Sequence, residues 1–180
     1  MTKKIDKKMC PVYPEWTEAQ FWSFIRSGLR SKSRRWGPLL QALNKAKKPY
    51  SGPNKRQKWA YECVSCKGLF QQKEVAVDHI TECGSLRSWE DLVPFTQRLF
   101  CGIDGYQVLC KECHDVKTYA EKMGLTFEEA KVMLPIIRFQ NSKAAIQKKM
   151  LTELGVSAKL IPSNSEKRTE LYKERINAKV

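Results

Sequence analysis

Apolar positions recur along this chain at two different spacings, and the change of spacing divides it into three parts. In the first part Phe21, Trp22, Ile25 and Leu29 fall at helical intervals behind Thr17-Glu-Ala-Gln20, a run of capping-box form, which predicts a helix with one apolar stripe. Proline suits the first helical position, so Pro38 opens a second helix carried by Leu39, Leu40 and Leu43. Tyr50-Ser-Gly-Pro-Asn54 reads as a linker. In the centre, Trp59 to Glu62 and Val75 to Ile80 read as short strands, with Cys63 and Cys66 forming a knuckle near the turn between them. Gln107 to Leu109 is a third strand and Lys111 to Lys122 a helix. Ser88-Trp-Glu-Asp91 starts a further helix through Leu99, with Pro94 expected in its first turn, because a deeper proline removes a hydrogen bond.

The last part is helical in pattern. Thr126-Phe-Glu-Glu129 caps a run through Ala130, Val132, Met133 and Leu134, which Pro135 should terminate or kink. Ile146, Met150, Leu151 and Leu154 form an apolar stripe ending near Gly155, a C-cap by residue type. Beyond Pro162 the text is charged with few apolar residues, a frayed helix or disorder. No internal repeat is present. The expected class is α+β, mainly helical, in three domains: residues 1–56, a basic helical extension; 57–123, the core; and 124–180, C-terminal helices with a charged tail.

Composition changes this picture little, but it narrows the functional classes. At 29% charged residues and with no apolar run of bilayer-spanning length, the chain is not expected to meet a membrane. The charged N-terminus is followed by Pro11 and Pro14, where a signal peptide would have an apolar stretch, so the expected compartment is the cytoplasm.

Charge changes it more. The formal net charge is +14, and residues 1–60 hold fifteen Lys/Arg against three Asp/Glu, a local +12. A solubilising surface mixes its signs, whereas a one-signed third of a chain points to a polyanion such as DNA. Arg26 and Arg30 lie one turn apart on the first helix, followed by Lys32, Arg34 and Arg35, and then by Lys55, Arg56 and Lys58 in the linker region. Trp16, Trp22, Trp36 and Trp59 are interleaved with these charges; stacking on bases is one use for them, and burial in a core is the other.

The candidate chemistry is concentrated in the centre. Seven cysteines include two Cys-x-x-Cys pairs, Cys63/Cys66 and Cys110/Cys113, and in a reducing compartment such pairs read as metal ligands before disulfides. Four thiolates from two knuckles meet the tetrahedral demand of a structural Zn²⁺. The long interval between the pairs holds strand, loop and helix, so the zinc would close the unit. Cys10, Cys83 and Cys101 are expected as buried free thiols. Both histidines of the chain stand beside these pairs: Asp78-His79 at the end of a strand, and His114 directly after Cys113 at the start of a helix. Neighbouring side chains on a strand point to opposite faces, so Asp78 and His79 can serve one site only where the strand ends or bends.

Tyr-Glu-Cys63-Val-Ser-Cys66, Val75-Ala-Val-Asp78-His79-Ile80 and Tyr106-Gln-Val-Leu109-Cys110-Lys-Glu-Cys113-His114-Asp-Val-Lys117-Thr118 together resemble the HNH endonucleases of the ββα-metal fold, in particular phage-type members with a paired Cys-x-x-Cys zinc site. The resemblance covers about residues 57 to 122, with a weaker extension through Pro14 to Lys58. It implies a central ββα-metal motif stapled by the four-cysteine zinc. His79 would then be the general base for hydrolysis of a DNA phosphodiester, leaving a 5′-phosphate and a 3′-hydroxyl. Asp78 and His114 would hold a catalytic divalent ion, Mg²⁺, Mn²⁺ or another first-row metal. Lys117 and Thr118, a turn beyond His114, would contact phosphate or form an ordinary solvated helix face. The chain departs from the family at Gly105, where an asparagine usually stands; Asp104, next to it, could orient the His79 loop or add a ligand.

Two other classes are open on the sequence. One is a non-catalytic zinc module that binds nucleic acid, with Asp78, His79 and His114 structural. The other is a nuclease subunit active only with a phage or host DNA-processing partner. Double-strand cleavage by a site with one catalytic metal would need two encounters or a homodimer, and a phage-encoded chain would work in the host cytoplasm.

Overall fold

The computed structural model describes residues 8–177; the expectations for the first seven residues and the last three lie outside that range. The chain divides into two compact units between His114 and Asp115. It is an α+β structure with two small antiparallel sheets.

In the first unit, α1 (Glu18–Ser33) begins at the foreseen capping box, where Thr17 and Gln20 satisfy each other's backbone N–H groups. Its stripe buries Trp22 against α3 (Trp89–Leu99) in a core with Cys83, Leu86, Phe95 and Leu99. Helix α2 (Gly37–Lys45) starts one residue before Pro38. A short strand β1 (Lys47–Pro49) follows, where the sequence showed only a basic connection. It pairs with β2 (Trp59–Glu62), which pairs in turn with β3 (Leu69–Phe70). Two expectations are corrected here. The Cys63/Cys66 knuckle turns β2 into β3, because β2 and β4 (Val75–His79) belong to different sheets. Pro94 sits in the second turn of α3, since the capping box of Ser88 and Asp91 fixes the start at Trp89. The carbonyl deprived of its partner there is that of Glu90, an exposed residue whose carbonyl water can serve.

Strand β4 pairs with β5 (Tyr106–Cys110) in the register Val75↔Cys110, Asp78↔Gln107 and His79↔Tyr106, and α4 (Lys111–Met123) follows β5 without a break. This is a strand pair with a helix on its end. The connection between the strands carries α3, so the last turn of that helix arrives at the His79 end of the sheet.

In the second unit, Val116 and Ala120 pack with Ala130 and Leu134 of α5 (Phe127–Gln140). Helix α5 continues through Pro135, so termination there is not observed; the orphaned Lys131 carbonyl belongs to an exposed residue. On α6 (Ala144–Glu153) the buried positions are Gln147 and Leu151, while Ile146 is exposed and does not belong to the stripe. Gly155 ends this region with a positive φ of 85°, a backbone conformation suited to glycine. The charged tail is the ordered helix α7 (Ser165–Asn177): the Tyr172 ring stacks on Phe139 at 4.1 Å between centroids, and Arg168 is buried. Among the described residues no helix is long and apolar enough to cross a membrane.

Candidate metal centres and active site

Four cysteine sulfurs converge in the first unit. The Sγ atoms of Cys63, Cys66, Cys110 and Cys113 all lie within 4.8 Å of one another, and Cys66 and Cys110 are 3.9 Å apart. Four thiolates at about 2.3 Å from a tetrahedral Zn²⁺ stand about 3.8 Å apart, so the quartet fits a zinc ion. Each half is built by a local turn. Lys67 takes a positive φ of 58° as the chain folds back from Cys63 toward Gly68, and the backbone N–H of Cys113 points to Cys110 Sγ at 3.4 Å as α4 begins. A metal here joins the β2–β3 turn to the β5–α4 junction and so ties the two sheets together. Burial raises the Cys63 thiol, but hydrogen bonds from the backbone N–H groups of Cys66, Cys110 and Ser65 outweigh it and bring the group down to about 7. Burial pushes Cys110 up and Cys113 up to about 12, so proton release accompanies metal uptake.

The structure also brings Asp78 and His114 together: Oδ1 and Nε2 are 3.8 Å apart, and both side chains are partly open to solvent. The other carboxylate oxygen accepts from Gln107 Nε2 at 3.4 Å, which follows from the Asp78↔Gln107 register. An imidazole nitrogen and a carboxylate oxygen at this separation can reach one cation.

His79 is the last residue of β4, paired with Tyr106 of β5. Its Nε2 lies 3.1 Å from the carbonyl oxygen of Leu99, and the Tyr106 hydroxyl donates to the same oxygen at 2.9 Å. The carbonyls of a last helical turn have no partner within their helix, so the end of α3 offers this acceptor. A carbonyl only accepts. Nε2 therefore carries the proton, and in the neutral ring Nδ1 carries the lone pair. Tyr106 also faces the imidazole, with ring centroids 4.8 Å apart, and burial pushes its phenol pKa up, so it remains a donor.

Gly105 closes the same end of the sheet, its carbonyl accepting from Ile80 N–H at 2.9 Å. A Cβ at this position would meet Cys101 Sγ at 2.5 Å. Cys101 thus fills the space into which any residue 105 side chain would project. Asp104 is exposed in the short 3-10 turn Ile103–Gly105 and lines a cavity of about 400 Å³ with Lys45, Lys48 and Ile80; Asp78, His79 and His114 do not line it.

A probable HNH endonuclease of Lactococcus phage SK1 is 41% identical to this chain over 69 residues, which make up 38% of this chain and 66% of that protein. The chain is a partial homologue of this probable HNH endonuclease. The match spans just under two thirds of the phage protein's length. No family model matches the chain, and no solved structure does. The resemblance to HNH endonucleases read from the motifs thus stands as partial homology, beside a cysteine quartet of zinc-site geometry.

The basic residues are distributed. Arg26 is half-buried on α1, and Arg30 lies 6.0 Å from the Phe95 ring centroid as a cation over an aromatic face. Lys32, Arg34 and Arg35 are exposed at the end of α1, and Lys55, Arg56 and Lys58 are exposed in the segment before β2. Lys117 is half-buried and paired with Glu121 on α4. Of the three lone cysteines, Cys10 and Cys83 are buried, and Cys101 is half-buried. Sequence reasoning missed Leu99, Tyr106 and Gln107 as parts of the site. Gln107 and Tyr106 could have been found from the strand register; a backbone carbonyl has no sequence signature.

Proposed function

We propose that this protein is an endonuclease that hydrolyses DNA phosphodiesters with His79 as its general base. The observation that carries this is the hydrogen bond from His79 Nε2 to Leu99, which leaves Nδ1 as the basic atom at a strand end, one residue from Asp78 and its partner His114. Asp78 and His114 would hold one divalent cation, Mg²⁺ or Mn²⁺, whose chemistry is to offset the charge that develops on the leaving oxygen. Nδ1 of His79 takes a proton from water as the water oxygen bonds to phosphorus. The bond from phosphorus to the 3′ oxygen breaks, and that oxygen takes a proton from solvent. The products are a 5′-phosphate and a 3′-hydroxyl. As His79 becomes an imidazolium, its Nε2–H bond to the Leu99 carbonyl gains strength, because charged donors make stronger hydrogen bonds.

The cysteine quartet holds the structural zinc in this account, fixing the β5–α4 junction that carries His114 toward Asp78. The basic segment before β2 and the end of α1 hold the DNA by its phosphates, contacts that position and do not specify. The test is incubation of the zinc-loaded full chain with supercoiled plasmid at low salt, with and without Mg²⁺ or Mn²⁺. Metal-dependent conversion to nicked or linear forms is expected. Intact plasmid under all these conditions would contradict the proposal.

A further inference from the structure

A second cavity, of about 460 Å³, opens beside the three-stranded sheet. Its wall differs in kind from that of the cavity lined by Asp104. Lys47, Arg56 and Lys58 bring three positive charges to it, and no Asp or Glu is among its lining residues. The register explains the aromatic side. Lys47 pairs with Tyr61 and Pro49 with Trp59, so strand alternation sets all four on one face of the sheet. Trp59 remains 48% exposed there, although an indole gains by burial, and the Lys47 ammonium lies 4.4 Å from its ring centroid.

The rest of the wall is amide. Gln72 accepts from the Tyr61 hydroxyl at 3.2 Å, Gln57 donates to the Trp59 carbonyl at 3.1 Å, and Gln71 stands beside them. Amides both donate and accept, as the edge of a nucleobase requires. A half-exposed aromatic ring, three unopposed cations and several amides around one concavity are the elements of a site for a base with its phosphates. The volume lies within the range of small-ligand pockets. A paired base in a duplex has both faces covered by its neighbours and cannot offer one to an indole. The cations alone would serve a duplex; the half-exposed ring suits an unstacked base.

We propose that this cavity takes one unstacked nucleotide of a single DNA strand, its base against Trp59 and its phosphates on Lys47, Arg56 and Lys58. The inference rests on DNA being the substrate and names its form: DNA with unpaired nucleotides.

The test uses full-length, zinc-loaded His79→Ala protein without added Mg²⁺, so that binding is read with no cleavage. Fluorescence anisotropy compares a labelled single-stranded oligonucleotide with a duplex of the same length at one salt concentration. Trp59→Ala should weaken single-strand binding about five- to 150-fold, the effect of removing one base-stacking ring, and change duplex binding less than about twofold. Trp59→Phe should recover most of the loss, and Arg56→Glu, at an exposed loop position, should weaken single-strand binding while the protein melts normally. Equal weakening of both DNA forms by Trp59→Ala would overturn the proposal, as would single-strand binding indifferent to Trp59→Phe and Arg56→Glu if Trp59→Ala does not fold. Failure here leaves plasmid cleavage untouched, and failure of cleavage leaves this comparison readable.

Discussion

The imidazole of His79 and the hydroxyl of Tyr106 donate to one acceptor, the carbonyl of Leu99, at 3.1 and 2.9 Å. The two residues face each other in the β4–β5 register, and the acceptor comes from the end of α3. Under the proposed mechanism Tyr106 is a positioning residue: it holds the carbonyl that holds the imidazole. Tyr106→Phe removes one neutral hydrogen bond and is expected to lower kcat about fivefold, with KM for DNA unchanged. Steady-state nicking assays check this; a change in KM alone would place Tyr106 in DNA binding.

At the neighbouring turn, Gly105→Asn drives a Cβ to within 2.5 Å of Cys101 Sγ and should destabilise the protein by about 1–3 kcal/mol, the usual range for overpacking. Combining it with Cys101→Gly removes the obstacle and should restore most of the loss. Urea denaturation of the two single variants and the double variant measures the coupling directly; additive losses would show that the two residues do not compete for space.

Zinc removal should unfold the first unit, because the quartet ties the β2–β3 turn to the β5–α4 junction and metal binding in such sites is part of the folding free energy. Cys110→Ser should act in the same direction. A thermal melt unchanged after complete removal of zinc would refute this.

In the second unit, buried Arg168 donates to Gln147 Oε1 at 2.8 Å and to the carbonyls of Pro162 and Ser163. Arg168→Ala leaves the buried Gln147 Oε1 without its donor and should cost about 1–3 kcal/mol in denaturant unfolding. Gln147→Leu should also destabilise, since it withdraws the oxygen on which the guanidinium rests. Two near-neutral variants would show that the network is dispensable.

Much of the site was legible because its signals are local. The Cys-x-x-Cys pairs, the strands at Trp59 and Val75 and the capping boxes at Thr17 and Thr126 are each written within a few residues. What escaped depends on contacts distant in sequence. Strand β1 has the text Lys-Lys-Pro and exists because β2 pairs with it. Helix α7 looked frayed because its inward face includes Arg168 and Thr169, polar residues that an apolar stripe does not count. Gln147 likewise displaced Ile146 from the interior of α6, since the buried arginine needs an acceptor there. Pro94 and Pro135 stayed inside helices because the carbonyls they orphan belong to exposed residues.

The role assigned to His79 is tested most directly by single-turnover plasmid nicking with wild type and His79→Ala, both zinc-loaded and matched in DNA affinity, with and without added imidazole. Nicking lost in the variant and partly restored by imidazole, with zinc content and DNA binding retained, is the predicted result. A His79→Ala protein that folds, binds zinc and nicks DNA at the wild-type rate would contradict the account.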